Sequence, residues 1–363
     1  MAKKSGNGQS QSPSANQKKN KKKLLINIVV ITVSVVFLLI GSGCIYVDHM
    51  LSRINIQLDP DPGTTSSSSS MTSSEEALIS QNEGNTEAPD PTILNGLYHD
   101  DAIMNILVVG VDDYQPNDVG RTDSMILVSL DTRHEKLKMT SLMRDMYVQI
   151  PNHGSNRINT AYSIGGPALT IQTVESNFGV DIDRWVVVDF DAFDHIINRL
   201  GGVTLEITSG EADLVNTYSG EDWSKRLSAG TVTMTGKQAR YYSRIRAIGD
   251  DFERTERQRK VMTSLVEQFK DSDLMTINNI LYDLLPEITT NISKEEILRL
   301  AANSLTYLNY PIEQNRLPTD DGYINADAVI SGIPGNKVLV PDLELNAQAL
   351  AEFIYEDDLP EKQ

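Results

Sequence analysis

The chain has 363 residues, 40% of them hydrophobic, and a formal net charge of −18, which allows one large domain or two ordinary ones around a sizeable core. Seven lysines fall within residues 1–23, leaving −25 on the rest of the chain, and a surface of that sign repels nucleic acid. The single cysteine, Cys44, excludes a disulfide framework within one chain.

Residues 1–23 are Gly, Ser, Gln, Asn and Lys; they hold too little apolar surface to fold and read as a disordered basic tail. Residues 24–47 carry no charge and are rich in Ile, Val and Leu, enough helix to cross a hydrocarbon layer of ~30 Å. The lysines before it and Asp48 after it place the amino terminus in the cytoplasm. A cleaved signal peptide has a shorter apolar core, of ~7–15 residues. A lipoprotein cleavage at Gly43-Cys44 is disfavoured, because Gly41 stands where a leucine is wanted. The expected topology is therefore a cell-membrane protein with one span and an extracytoplasmic domain. Residues 48–100 read as the tether, with Pro60, Pro62, Ser66 to Ser70, Pro89 and Pro91 marking its 59–95 portion.

The globular part is expected over 101–363. The run 106–109 ends at Gly110 and reads as a strand buried on both faces. Strands follow at 125–130, 138–142, 148–150, 185–190 and 203–207. Helical spacing appears over 167–178, 193–200, 236–242, 255–270, 294–308 and 346–355. Interleaved strands and helices give an α/β class, layered α/β/α around one mixed central sheet.

Tyr241 to Lys260, with Arg240 just before it, holds six of the sixteen arginines: Arg240, Arg244, Arg246, Arg254, Arg257 and Arg259. Arginine is suited to two-pronged recognition of phosphate, so this focus in an acidic chain argues for a bound phosphate or pyrophosphate. The same stretch also reads as a helix whose arginines pair with Asp250, Asp251, Glu253 and Glu256. Asp112 comes directly off the end of the 106–110 strand, and Asp123 stands just before the next one. If those strands are antiparallel neighbours, the two carboxylates meet at one edge and, with substrate phosphate oxygens, make a magnesium site; Arg121 lies two residues from Asp123. The alternative is an acidic surface loop. Arg144-Asp145 follows a strand and must be solvated, paired or used. Arg157, Asn159 and Thr160 precede a helix start, where anions are favoured. Gly230 to Gln238 is rejected as a nucleotide loop: it has five residues between its glycines where four are needed, and Gln238 replaces the magnesium-binding hydroxyl. The five histidines show no metal-ligand spacing.

The segments NILVVGVD (105–112), GRTDSM (120–125), LMRDMYV (142–148), RINTAY (157–162), GGV (201–203), YSRIR (242–246) and DFERTERQR (251–259) occur in an order that resembles the LytR–CpsA–Psr family, strongly over 104–270 and more weakly to 363. The chain departs from that family at Met143, where a proline is common, at Arg157, often a lysine, and at Glu253, usually a glycine whose loss is expected to alter the turn placing Arg254. The resemblance implies an extracytoplasmic phosphotransferase. Such an enzyme moves a glycopolymer (wall teichoic acid, capsule or similar) from an undecaprenyl pyrophosphate carrier onto a peptidoglycan hydroxyl, as a phosphodiester. By similarity, Asp112 and Asp123 hold Mg2+, with Mn2+ as a substitute. Arg121, Arg144, Arg244 and Arg246 act in catalysis and, with Arg157, Arg254, Arg257 and Gln258, bind the pyrophosphate. The apolar helices near 167–178, 193–200 and 261–269 are candidates for a prenyl slot and equally for plain core. A non-catalytic polyprenyl-phosphate-binding regulator or scaffold, and a pyrophosphatase using water, are the competing functions.

Overall fold

The computed structural model describes residues 48–57, 86–91, 96–111, 122–249, 251–272, 274–356 and 359–362, with backbone alone at 123, 251, 274, 277, 278, 281 and 284. The expected tail at 1–23, the expected span at 24–47 and most of the tether lie outside those residues. No helix among the described residues is long and apolar enough to cross a membrane.

Ile54–Gln363 is one compact unit. Its centre is a seven-stranded sheet in the order β1-β10-β7-β2-β3-β4-β11. The strands are β1 (Asn55–Ile56), β2 (Ile103–Val111), β3 (Thr122–Asp131), β4 (Lys136–Leu142), β7 (Arg184–Asp189), β10 (Ile288–Thr290) and β11 (Ile312–Leu317). The sheet is mixed: β2 pairs antiparallel with β3 and parallel with β7, and β11 runs parallel to β4. The tether as expected ends too late. Asn55–Ile56 pair with β10 as an edge strand, and Thr86 Oγ1 donates to the Asp327 carbonyl at 3.1 Å. Both stretches find backbone partners on the domain, which a composition argument cannot foresee. The carboxyl-terminal third supplies β10 and β11, so 271–363 completes the sheet and is no separate subdomain.

Two helices cover one face: α1 (Thr160–Phe178), broken at Gly165–Gly166, and, beyond the rest of the chain, α8 (Leu343–Tyr355). Val174, Phe178, Leu350 and Ile354 bury against Leu107, Val109, Met125 and Leu127. On the other side lie α2 (Phe190–Arg199), α3 (Ser209–Tyr218), α4 (Gly236–Ser243) and α5 (Asp251–Asp271), followed by α6 (Leu274–Leu284) and α7 (Lys294–Tyr307). Ile197, Val215, Tyr242 and Val261 form a second core there. Small hairpins complete the chain: β5 (Tyr147–Ile150) with β6 (Gly154–Arg157), β8 (Val203–Ile207) with β9 (Gly230–Met234), and β12 (Tyr323–Ile330) with β13 (Ile333–Pro341). Glu253 lies inside α5. The expected altered turn is therefore replaced by helix, which suits glutamate better than glycine by the cost of backbone entropy.

Arg184, at the start of β7, forms a close ion pair with Glu296, whose side chain is 10% exposed. That hydrogen bond, reinforced by Ser293, draws the Glu296 carboxyl down to about 2. A depressed folded-state pKa means stability that is present above the ordinary glutamate range and lost as pH falls through the folded value. We expect urea unfolding at pH 7 to exceed that at pH 3 by a margin that Glu296→Gln shrinks by roughly 1–3 kcal/mol. An unchanged margin would remove the pair from the acid response.

Candidate functional site

The strand directions bring four chain exits and the entry of β3 to a single edge. β2 leaves at Val111, β7 at Asp189, β4 at Leu142 and β11 at Leu317, while β3 enters at Thr122. In sheets covered by helices, such an edge is where ligands bind.

The condition set for the two aspartates holds for the strands: β2 and β3 are antiparallel neighbours. The ladder steps from Gly110↔Ser124 to Val111↔Thr122, so Asp123 is the extra residue of a bulge, a device common beside active sites. Asp112 directly follows Val111, and Thr122 separates Arg121 from Asp123. Asp112 and Arg121 lie outside the described residues, as does the Asp123 side chain.

Inward from this edge lies a cavity of about 140 Å3. Its floor is Val108 and Gly110 of β2, Ser124 and Ile126 of β3, and Val188 of β7; α2 contributes Phe190, Phe193 and Ile196, and α5 contributes Gln258, Met262 and Leu265. The strand at 106–109 was expected to be buried on both faces. Its two faces differ instead: Leu107 and Val109 are fully buried, whereas Val108 and Gly110 face this cavity. An all-apolar strand looks the same in sequence whether its second face meets core or an open apolar slot. Gly110 keeps the floor close to β3, since a Cβ there would stand 3.3 Å from the Ser124 Cβ.

Cations gather at one side of the cavity. Arg240 and Arg244 line it together with Asp189 and Ser243. Their guanidinium carbons stand 5.5 and 4.7 Å from the Phe190 ring centre, a stacking that fixes planar cations without neutralising them. Arg240 is also paired with Asp194 at 2.8 Å; burial nonetheless pushes the Asp194 carboxyl above its ordinary value. Arg244 and Arg246 together line an adjoining, more open hollow of about 580 Å3 with Tyr218 and Tyr241. The loop carrying them is pinned from below. Arg257, 4% exposed, donates its Nη2 to the carbonyls of Ile245 and Ile248 at 2.8 and 3.1 Å. Its Nη1 lies 3.5 Å from Glu211, the residue that also closes the capping box of α3 with Thr208. Those bonds make Arg257 a prop for the loop, whereas the family resemblance placed it on the pyrophosphate.

Arg254 is buried, on the same stripe of α5 as Gln258, one turn away. Arg144 follows β4 at the common edge, 3.7 Å from Asp145. Asp145 also holds Arg157 at 3.2 Å, and Arg157 Nη2 donates to the Lys337 carbonyl at 2.8 Å. The alternative of a structural Arg144–Asp145 pair thus describes part of the geometry, extended to a second arginine. Asp189 and Phe190 were not singled out for the site, and Arg240 was read only as one member of the arginine focus. An aspartate at the carboxyl end of an apolar run was the signal used for Asp112, and Asp189, the last residue of β7, follows the apolar run 185–188 in the same way. Histidine spacing gave no metal site. The fold does group His99 with Asp181 and Asp183, but at the opposite edge, where β2 and β7 begin.

Comparison with known proteins bears on the family and the fold. A family model described as the LytR_cpsA_psr family matches residues 64–337. The chain is 32% identical over 219 residues to the polyisoprenyl-teichoic acid–peptidoglycan teichoic acid transferase TagU of Oceanobacillus iheyensis, covering 58% of this chain and 65% of that protein, just short of two thirds. It is 30% identical over 269 residues to the regulatory protein MsrR of Staphylococcus aureus, covering 72% and 78%. Among solved structures, the LytR-CPS2A-psr family protein YwtF (TagT) with bound octaprenyl pyrophosphate lipid superposes with a TM-score of 0.52 at 24% identity, over 70% of this chain and 91% of that one. At that identity the likeness is one of fold.

Proposed function

We propose that this chain, which belongs to the LytR–CpsA–Psr family, is a phosphotransferase that takes a glycopolymer from a polyprenyl pyrophosphate and joins it to a peptidoglycan hydroxyl. The observation carrying this reading is the apolar cavity opening beside Arg240, Arg244 and Gln258 at the carboxyl edge of the sheet. An apolar slot ending in guanidinium groups matches a molecule that is hydrocarbon at one end and pyrophosphate at the other. A relative bears a teichoic acid transferase name, and a fold neighbour holds octaprenyl pyrophosphate; both favour it.

In this reading the acceptor oxygen forms a bond to the sugar-linked phosphorus. The bond from that phosphorus to the bridging oxygen breaks, the hydroxyl proton is lost, and lipid phosphate leaves. Such displacement needs alignment and charge neutralisation more than a protein nucleophile. Arg244 and Arg246 face the phosphate oxygens, with Arg121, Arg144, Arg157, Arg254 and Gln258 as further members of the ring. Asp112 directly follows β2 in the sequence and Asp123 belongs to β3; two carboxylates are a donor set that fits a hard divalent cation. Mg2+ held there would neutralise the pyrophosphate. The expected setting is the outer face of the cell membrane, with the polymer a wall teichoic acid, capsule or similar.

Filling the slot tests its role. Val108→Trp should leave the fold intact and weaken octaprenyl pyrophosphate binding by ~10-fold or more, since each displaced CH2 contact is worth ~0.8 kcal/mol. Unweakened binding, measured by calorimetry on a folded variant, would move the prenyl chain elsewhere. The relative named a regulatory protein keeps the non-catalytic reading in play. Tight lipid binding with no phosphodiester product under any peptidoglycan acceptor would establish that reading instead.

A further inference from the structure

Helix α5 presents two flanks. Arg254, Gln258, Met262 and Leu265 share the stripe that faces the apolar cavity, and Phe252, Arg259 and Thr263 share a stripe more than a quarter-turn away at 3.6 residues per turn. That second stripe faces β11. Gln314 Nε2 donates to Thr263 Oγ1 at 2.6 Å, and Arg316, two residues on and so on the same strand face, stands 4.2 Å above the Phe252 ring.

Between helix and strand lies a hollow of about 370 Å3 whose described lining is polar: Arg259, Gln314, Asn315, Arg316, Thr319 and Asp320. Its charge is not balanced from within. Burial, and then the neighbouring Arg316, make the Arg259 cation harder to hold, by more than Glu256 offsets. Arg259 Nη1 is buried without a hydrogen-bond partner, and so is Thr319 Oγ1. Among the described residues, Asp320 is the one carboxylate lining the hollow; it pairs closely with Arg316, but its side chain is 88% exposed. Buried donors are almost always satisfied, and two partly desolvated like charges persist most readily around an anion. Resting on the transferase reading, we propose that this hollow is a second anion site that takes a phosphodiester of the polymer being transferred. It lies at the carboxyl edge two strands beyond β3, where Arg316 pairs with Ser141 of β4. Its volume exceeds that of one phosphate group, and leaves space for the flanking polyol or sugar. The site selects a phosphate-bearing polymer over a neutral one.

The test is calorimetric titration of the full-length protein with inorganic phosphate and with a short glycerol phosphate oligomer. The oligomer should bind more tightly than phosphate. Arg259→Gln and Arg316→Gln should each weaken it by ~10-fold or more, as loss of a charge-assisted hydrogen bond requires, with octaprenyl pyrophosphate binding unchanged. Arg259→Gln should fold at least as stably as the parent, because it removes a strained cation, and its melting temperature should no longer rise on adding oligomer. Oligomer binding indifferent to both substitutions would overturn the site; phosphate binding as tightly as oligomer would overturn the polymer assignment. The Arg244→Ala/Arg246→Ala protein separates the two proposals, because it should retain oligomer binding at α5–β11 whether or not transfer occurs.

Discussion

Arg244→Ala with Arg246→Ala is expected to lower the transfer rate by ~10²–10³-fold or more, with the fold intact. The reason is preorganisation. Removing one fixed donor aimed at developing charge costs ~3–4 kcal/mol in enzymes of this electrostatic kind, and two neighbouring donors act as a unit whose losses do not simply add. Arg244 is held against Phe190 at 4.7 Å, and the loop carrying both arginines is held by Arg257 through two carbonyls, so Arg244 needs little reorganisation when charge moves on the phosphorus. Lipid affinity should fall less than rate, because the prenyl chain keeps its apolar slot. The measurement is single-turnover transfer from octaprenyl-linked substrate to a peptidoglycan fragment, beside lipid binding to the same variant. A rate within threefold of the parent would remove both arginines from the chemistry. Equal losses in binding and rate would show that they hold the ground state and transition state alike.

The frame of this site was legible in the sequence because its signals are local. The apolar run that ends at Gly110 and the helix stops at Gly179 and Gly201 follow from burial and backbone conformation within a few residues, whereas the strand expected over 185–190 ends at Asp189 and Phe190 opens α2. The arginine focus at 240–259 was likewise visible as composition. What each arginine does was not. Arg244, Arg254, Arg257 and Arg259 sit within sixteen residues, yet the turn of α5 and the loop before it send them to a cavity wall, a buried stripe, a backbone prop and a separate hollow. Charge is identical in all four cases; only helical phase and distant partners such as Glu211 and Arg316 tell them apart. The short strands β1, β10 and β11 escaped detection for a related reason. Ile312–Leu317 reads IEQNRL, with little apolar pattern, and becomes a strand through its parallel ladder with β4.

Lys138 shows the same limit in the opposite sense, and it carries the largest stability effect expected. The 138–142 run reads as an ordinary strand that happens to begin with a lysine. In the fold Lys138 is fully buried beside fully buried Asp131, 2.7 Å away. Its ammonium also donates to the Ile354 carbonyl at 2.6 Å and lies 2.9 Å from Glu356, so one charge ties β4 and β3 to the end of α8. Asp131 is satisfied in turn by the backbone amides of Arg133 and His134. Breaking a buried pair strands its partner, which costs ~3–5 kcal/mol, whereas replacing both members by apolar groups is often neutral or better. Asp131→Ala should therefore destabilise the domain by about that amount in urea, and Asp131→Leu with Lys138→Met should recover most of it. Hydrogen bonds from Lys138 and His134 overcome burial and hold the Asp131 carboxyl below its ordinary value, and Lys136 and Lys138 lower that of Glu356. The stabilisation is therefore complete above the usual carboxylate range and fades as pH falls below it. The double variant should lose part of that acid sensitivity. If Asp131→Ala unfolds at the same urea concentration as the parent, the network contributes nothing and the lysine is solvated in a way its burial denies.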